Sequence, residues 1–261
     1  MADLGFLPVV RRLLDMTPPD GQRMLFSATL DAAVEVLARR FMNRPVHHAV
    51  GVIEAPVEMT HHLLTIVPTD RLGVVAALAG GSGRSLVFTR TRHAARRLAR
   101  QLIANGIPAA ELHGDLSQGT RERNLASFAS DVVRVIVATD VAARGIHVDG
   151  IDLVIHADPP AEHKAYLHRS GRTARAGAAG TVVTLQASSE IRAVRDLMRK
   201  AGVVPLTATV TPGSPLLRSI AGEPVAPVTL PAARPSVIVS APATGRGAAA
   251  LSAGFRGRRG R

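Results

Sequence analysis

The chain has 261 residues, 46% of them apolar, enough to bury the core of one large domain or of a medium domain with extensions. It has no cysteine, which excludes disulfides and thiolate metal sites. Its formal net charge of +12, almost all of it arginine, favours a polyanionic partner, nucleic acid first among them.

A solvated basic surface, or the arginine, alanine and glycine enrichment of a GC-rich genome, would give the same composition. No apolar run approaches the roughly 20 residues that span a bilayer. The start Met1-Ala2-Asp3-Leu4-Gly5 lacks the basic opening and apolar core of a signal peptide. No membrane partner is expected, and a cytoplasmic location is the simplest expectation.

Residues 1–45 read as a separate piece: a helix over 7–16 ending at Pro18-Pro19, a strand over 23–26, and a helix over 30–42. One strand with two helices cannot make an independent α/β domain, because a lone strand leaves its backbone groups unpaired. The piece therefore reads as the end of a larger domain. Residues 46–59, with Pro56 and few helical signals, read as a linker.

Residues 60–205 alternate regularly. Short branched-apolar runs at 62–67, 85–89, 110–113, 134–139, 153–156 and 180–185 predict strands. Helical patterns lie between and after them at 70–79, 92–105, 118–129, 162–168 and 190–201. That alternation implies a parallel sheet with helices on both faces. Asn105-Gly106 predicts a helix stop, and Ser117 a helix cap.

From residue 206 onward Pro, Ala, Gly, Ser and Thr dominate, so 206–261 reads as a disordered tail. It holds seven arginines against Glu223, a net +6, half the excess of the chain. Its end, Phe255-Arg256-Gly257-Arg258-Arg259-Gly260-Arg261, is of the arginine–glycine type that binds RNA with little sequence preference. A merely solubilising tail would look the same.

The densest motif is His168-Arg169-Ser170-Gly171-Arg172-Thr173-Ala174-Arg175-Ala176-Gly177. Arginine is a permanently charged planar fork suited to phosphate oxygens, and glycine lets backbone approach a ligand closely. Lys164 and Lys200 are the only lysines, and neither stands in a Gly-x-x-x-x-Gly-Lys-Ser/Thr loop. Other motifs sit where strands run into helices: Ser27-Ala28-Thr29, Leu86 to Thr91, His113-Gly114-Asp115 with Gln118 and Arg121, and Ala138-Thr139-Asp140 through Arg144-Gly145-Ile146. Such junctions gather ligands in open α/β sheets, where free helix N–H groups meet phosphates.

In order and spacing these motifs resemble the DEAD-box ATP-dependent RNA helicases, built of two RecA-like domains, over residues 1–202. The resemblance implies a complete second RecA-like domain at 60–205, preceded by the end of a first at 1–45. It also implies that the phosphate loop, the metal-organising carboxylates and the Asp-Glu-Ala-Asp signature lie upstream of this chain. ATP and Mg2+ are thus cofactors of the intact two-domain enzyme, and none is expected to bind tightly to this part. RNA, gripped by its backbone without sequence preference, is the implied partner, with a first RecA-like domain in cis or in trans.

Position by position, Arg172 and Arg175 resemble the arginines that reach ATP across the interdomain cleft, Arg175 being the closer analogue of an arginine finger. A salt bridge from Arg175 to Asp140 or Asp158 is the structural alternative. His168 and Arg169, with Gly171, resemble residues coupling the cleft to the nucleic-acid side, although a histidine in such a place is often only packed. Ser27 and Thr29 resemble the link between hydrolysis and strand separation.

Thr139, Gly145, Gln118, Arg121, Gly114 and Thr89 resemble the RNA track. Thr139 is equally suited to cap a helix, and Gln118 and Arg121 to sit on an exposed helix start. Arg92, Arg96 and Arg100, four apart, read as a solvated face. The family's acidic ribose contact is replaced by His147, with Asp149 two residues on as a substitute. No metal ligand set is expected. The function implied is the C-terminal part of an RNA helicase; the alternative is an RNA-binding module without ATPase activity of its own.

Overall fold

The computed structural model describes residues 7–26, 32–48, 59–143, 150–175 and 177–225. The chain divides into two units, Met1–Ala55 and Pro56–Arg261.

In the first unit, α1 (Leu7–Asp15) and α2 (Ala32–Phe41) form close to the expected bounds. Helix α2 buries Leu37, Ala38 and Phe41, one helical stripe. Arg23 ties the unit together. Its guanidinium donates to the Phe41 carbonyl at 2.7 Å and to Thr17 Oγ1 and the Pro18 carbonyl at 2.9 Å. The strand expected at 23–26 does not form: these residues have no regular structure, and Met24 and Phe26 are exposed. A strand needs a neighbour for its N–H and C=O groups, and no described residue pairs with this one.

The second unit is an open parallel sheet, the α/β architecture the alternation predicts. In chain order it runs β1 (Met59–Ile66), α3 (Arg71–Ala79), β2 (Ser85–Phe88), α4 (Arg92–Ala104), β3 (Ala109–Leu112), α5 (Gln118–Ala129) and β4 (Val135–Ala138). Then follow α6 (Asp140–Ala143), β5 (Leu153–His156), α7 (His163–Ser170), β6 (Gly180–Ala187), α8 (Ile191–Ala201), β7 (Leu206–Thr209) and α9 (Pro215–Ala221). Among the described residues the sheet has seven strands in the order β3-β4-β2-β5-β6-β1-β7. Every pairing is parallel.

The central strands are buried on both faces, and their near-continuous apolar sequence follows from that. Alternate residues serve opposite layers. Val87, Val135, Val137 and Ile155 pack with α3, α4 and α9 through Val74, Leu102 and Leu217. Leu86, Phe88, Ile136 and Val154 pack with α5, α7 and α8 through Phe128, Tyr166 and Met198. The expected punctuation is present: the Ser117 hydroxyl accepts from the Thr120 N–H, and Gly106 takes φ 76° after α4.

The expectation of a loose tail from residue 206 is corrected for residues 206–225. Strand β7 pairs with β1 from His62↔Leu206 to Thr65↔Thr209, and α9 lies on α3 with Leu217 buried. Gly81 carries the contact: a Cβ there would stand 2.0 Å from the Ala221 carbonyl oxygen. The composition concealed these elements because β7 is a short edge strand with an exposed face and α9 begins on a proline. Residues 226–261 lie outside the described part.

Candidate nucleotide and nucleic-acid interface

In a parallel sheet the carboxyl ends of all strands open on one rim. Thr89, Gly114, Gln118 and Thr139 follow β2, β3 and β4 on that rim, so the fold brings most of the expected RNA track together. The residues differ in availability. Gln118 is exposed at the start of α5, where its side chain donates to Glu122 at 2.8 Å. Arg121 turns inward instead and donates to the Ala142 carbonyl at 3.3 Å. Thr89 is buried, with its hydroxyl donating to the Thr91 carbonyl at 3.2 Å. The carbonyl of Thr139 accepts from the N–H groups of Ala142 and Ala143, so its backbone opens α6 as a cap does.

Gly114 is exposed, and a Cβ there would meet nothing within 4 Å. Nothing in the described part of the chain requires glycine at that position. Ser27, Thr29, Gly145, His147 and Asp149 lie outside the described residues.

The arginine segment is organised around Arg169. Its side chain is 4% exposed, and Nε and Nη2 donate to the two carboxylate oxygens of Asp140 at 2.6 and 2.7 Å. Nη1 donates to the Asp158 carbonyl at 3.0 Å, and the guanidinium lies 5.0 Å from the centre of the Phe88 ring. This is a bidentate, charge-assisted fork closed over an aromatic face. It locks the end of α7 to the carboxyl ends of β2, β4 and β5. The carboxylate of Asp140 proposed as a partner for Arg175 is therefore taken by Arg169.

Arg175 is half-exposed, and its Nε donates to the Gly171 carbonyl at 2.9 Å. Arg172 is half-exposed and lines a small cleft with Asp140, His168 and Arg169. His168 itself is exposed. Gly171 ends α7. Between the two arginines Ala174 adopts φ 55°, a left-handed conformation that costs an L-residue roughly 1–2 kcal/mol. Thr173 pins the same turn through a hydroxyl bond to the Ile151 carbonyl at 2.5 Å. Strain at a turn that presents functional side chains is a recurring feature of sites.

Sequence reasoning did not assign a chain of rings beneath this lock. His156 is fully buried, edge-on to Tyr166 at 5.1 Å between ring centres, with its Nδ1 3.0 Å from Thr184 Oγ1. Burial holds the imidazole well below the usual histidine range, and the nearby Arg169 charge and His61 lower it further. The Tyr166 hydroxyl lies 2.7 Å from His61 Nδ1, and burial pushes its pKa up to about 12. The signal available in sequence was faint: a histidine ending an otherwise apolar strand.

The arginines of α4 lie on an accessible face, two of them in surface ion pairs. Arg92 pairs with Asp115 at 2.7 Å and Arg96 with Glu111 at 3.6 Å, and both Arg92 and Arg100 are exposed. Among the described residues no group of three or more His, Cys, Asp or Glu side chains is gathered for a metal ion. A magnesium cage does not fit the residues described. No described helix is long and apolar enough to cross a membrane.

The open parallel sheet carries arginines and strand-to-helix junction residues along its carboxyl rim. Residues 70–177 match the family of the helicase conserved C-terminal domain. The ATP-dependent RNA helicase DBP2 of Debaryomyces hansenii is 37% identical over 206 residues, covering 76% of this chain and 38% of that protein. The structure of the Escherichia coli DEAD-box protein SrmB bound to the regulator of ribonuclease activity A is 31% identical, with a TM-score of 0.53, covering 66% of this chain and 98% of that one. The Saccharomyces cerevisiae Dbp5 structure bound to RNA and ADP BeF3 has a TM-score of 0.69 at 24% identity, over 83% of this chain and 59% of that one, a likeness of fold.

The chain belongs to the DEAD-box RNA helicase family, and its sheet is a RecA-like domain corresponding to the helicase C-terminal domain. It spans well under half the length of the DBP2 relative.

Proposed function

We propose that this chain serves as the second lobe of an ATP-dependent RNA helicase. Arg172 and Arg175 would meet a triphosphate held by a first RecA-like domain, in cis or in trans. The carboxyl rim, with Thr139, Gln118, Gly114 and the neighbourhood of Thr89, would form half of an RNA track. Arg121 would support that track through α6 rather than touch phosphate. ATP and Mg2+ would belong to the assembled machine, and RNA would be held by its sugar–phosphate backbone.

The observation that carries this reading is the division of labour among the arginines. Arg169 is consumed by the Asp140 lock, while the following turn leaves Arg175 half-exposed and tethered through Nε. Ser27, Thr29, Gly145 and Asp149 enter the proposal on sequence grounds alone.

The test combines this chain with the N-terminal RecA-like domain of a DEAD-box relative, single-stranded RNA, ATP and magnesium. RNA-stimulated hydrolysis is expected from the mixture and not from the chain alone. Arg175→Ala should lower it by about 10³-fold or more, the scale of an arginine finger. Binding to single-stranded RNA should weaken steeply with salt. Turnover by the chain alone, or an Arg175→Ala variant that hydrolyses normally, would refute the proposal. RNA binding without any turnover in the mixture would favour the passive RNA-binding module.

A further inference from the structure

A groove of about 690 Å³ lies between α8 and the β7 edge of the sheet. That volume is within the roughly 300–1,000 Å³ of ligand-sized sites. Leu63 and Met198 are buried at its floor, and the exposed Arg195 and Arg199 line it from α8. None of residues 168–175 lines it, so it stands apart from the arginine segment.

The backbone is the first guide to what fills it. Among the described residues β7 has one neighbour, β1. The Val210 N–H donates to the Thr65 carbonyl at 3.0 Å. Successive residues of a strand turn their N–H and C=O groups to opposite sides. Val210, and with it Ala208, therefore addresses β1, while Thr207 and Thr209 turn their backbone groups to the open edge. Both threonines are exposed and line the groove. An edge with free backbone groups is a template for a further strand.

Charge is the second guide. Helix α8 carries Arg192, Arg195, Arg199 and Lys200, all exposed, against Asp196. Arg199 meets Asp196 at 3.3 Å, in a surface pair that contributes little. Glu190, at the start of α8, is engaged with the Ala187 N–H at 2.8 Å. Arg195 and Arg199 are four positions apart, about 6 Å along a helix. Side chains on one face of a strand recur every two residues, about 6.6–6.8 Å. Carboxylates at alternate positions of an added strand match that spacing.

We infer that the groove receives an extended acidic segment of another protein, added to β7 as a further strand. Its carboxylates, at alternate positions, meet Arg195 and Arg199, and an apolar side chain on the same face covers Leu63 and Met198. Two other occupants fit less well. Antiparallel pairing of two β7 edges would set both α8 helices on one face of a continuous sheet, cations towards cations, in chains of net charge +12 each. For single-stranded RNA, the groove lining offers no aromatic ring on which a base could stack.

Fluorescence anisotropy with the full chain and a labelled peptide, Thr-Val-Thr-Glu-Thr-Glu-Thr, tests this. Physiological salt screens exposed charges more than about 8 Å apart and so suppresses non-specific attraction to the basic chain. Saturable binding is expected, at least tenfold tighter than that of the reordered peptide Thr-Glu-Glu-Val-Thr-Thr-Thr, which has the same charge. The double variant Arg195→Gln with Arg199→Gln should weaken binding at least tenfold. Thr207→Pro, which removes an outward N–H and no bond to β1, should do the same; a proline is tolerated on a strand edge in that orientation. Equal affinity for the two peptides, or affinity indifferent to the arginine variant or to Thr207→Pro in a folded chain, would overturn the inference. Displacement of the peptide by single-stranded RNA, with RNA affinity lost in the arginine variant, would give the groove to nucleic acid and overturn it. A dimer in sedimentation that Thr207→Pro dissociates would give it to a second copy and overturn it too.

Discussion

Asp140→Ala tests how firmly the arginine segment is held. The substitution removes two charge-assisted bonds of 2.6 and 2.7 Å and leaves Arg169, 4% exposed, with the Asp158 carbonyl and the face of Phe88. Breaking a fully buried pair by deleting one partner costs about 3–5 kcal/mol, because the surviving charge stays uncompensated. The Asp140 side chain is 38% exposed, so water screens part of the pair, and about 2–3 kcal/mol is the discounted expectation. For a domain of this size each kcal/mol moves Tm by about 2–4 °C, which gives a fall of about 4–12 °C.

Thermal unfolding followed by circular dichroism measures the shift. The double variant Asp140→Ala with Arg169→Met should recover part of the loss, giving a coupling of about 1–3 kcal/mol. A Tm within 1 °C of the parent, or single-variant effects that simply add, would show that Arg169 is not held by Asp140 in solution.

Burial of neutral His156 makes stability depend on pH. Its folded pKa is depressed, so its contribution is complete above about 6.5 and is lost as pH falls, by up to about 1.4 kcal/mol per pH unit. Urea midpoints between pH 7.5 and 5 should drop and then flatten in His156→Phe; an equal slope in both proteins would contradict the assignment. Ending the chain at residue 225 should preserve the thermal transition, whereas ending it at 205 removes the buried Val210 and Leu217 and should cost about 3–6 kcal/mol. Identical stability of the two truncations would mean β7 and α9 are not part of the domain. Gly114→Ala has open space around it and should leave Tm unchanged while weakening single-stranded RNA binding severalfold. Unaltered affinity would remove Gly114 from the proposed track.

The sheet was legible because its strands declare themselves. Runs such as Val135 to Ala138 are apolar throughout, which both-face burial demands, and the helices between them carry caps such as Ser117. Strand β5 forms over Leu153–His156 as expected, and the other expected strands of 60–205 form within three residues of their expected ends. The expected strand at 23–26 failed because residue type cannot supply a neighbour. Strand β7 was missed for the converse reason: Leu206 to Thr209 has little pattern of its own and forms because β1 offers an edge.

At the candidate site, the residue types and their rim location were readable from motifs. The Asp140–Arg169 lock was not, since the two lie 29 positions apart and meet only once β4, β2 and β5 stand side by side. The inward turn of Arg121 toward the Ala142 carbonyl is likewise a consequence of packing.

Strand β1 opens the domain in sequence yet stands between β6 and β7, and Met59 faces Gly180, 121 residues later. On the ribosome, at about 5–20 residues per second, it waits roughly 6–24 s before its first sheet partner has been synthesised. For that interval Leu63, Leu64 and Ile66 have no sheet to join. The nascent domain therefore adds β1 late, after β3, β4, β2 and β5 have all been synthesised, and chaperone capture is expected to concentrate in that window.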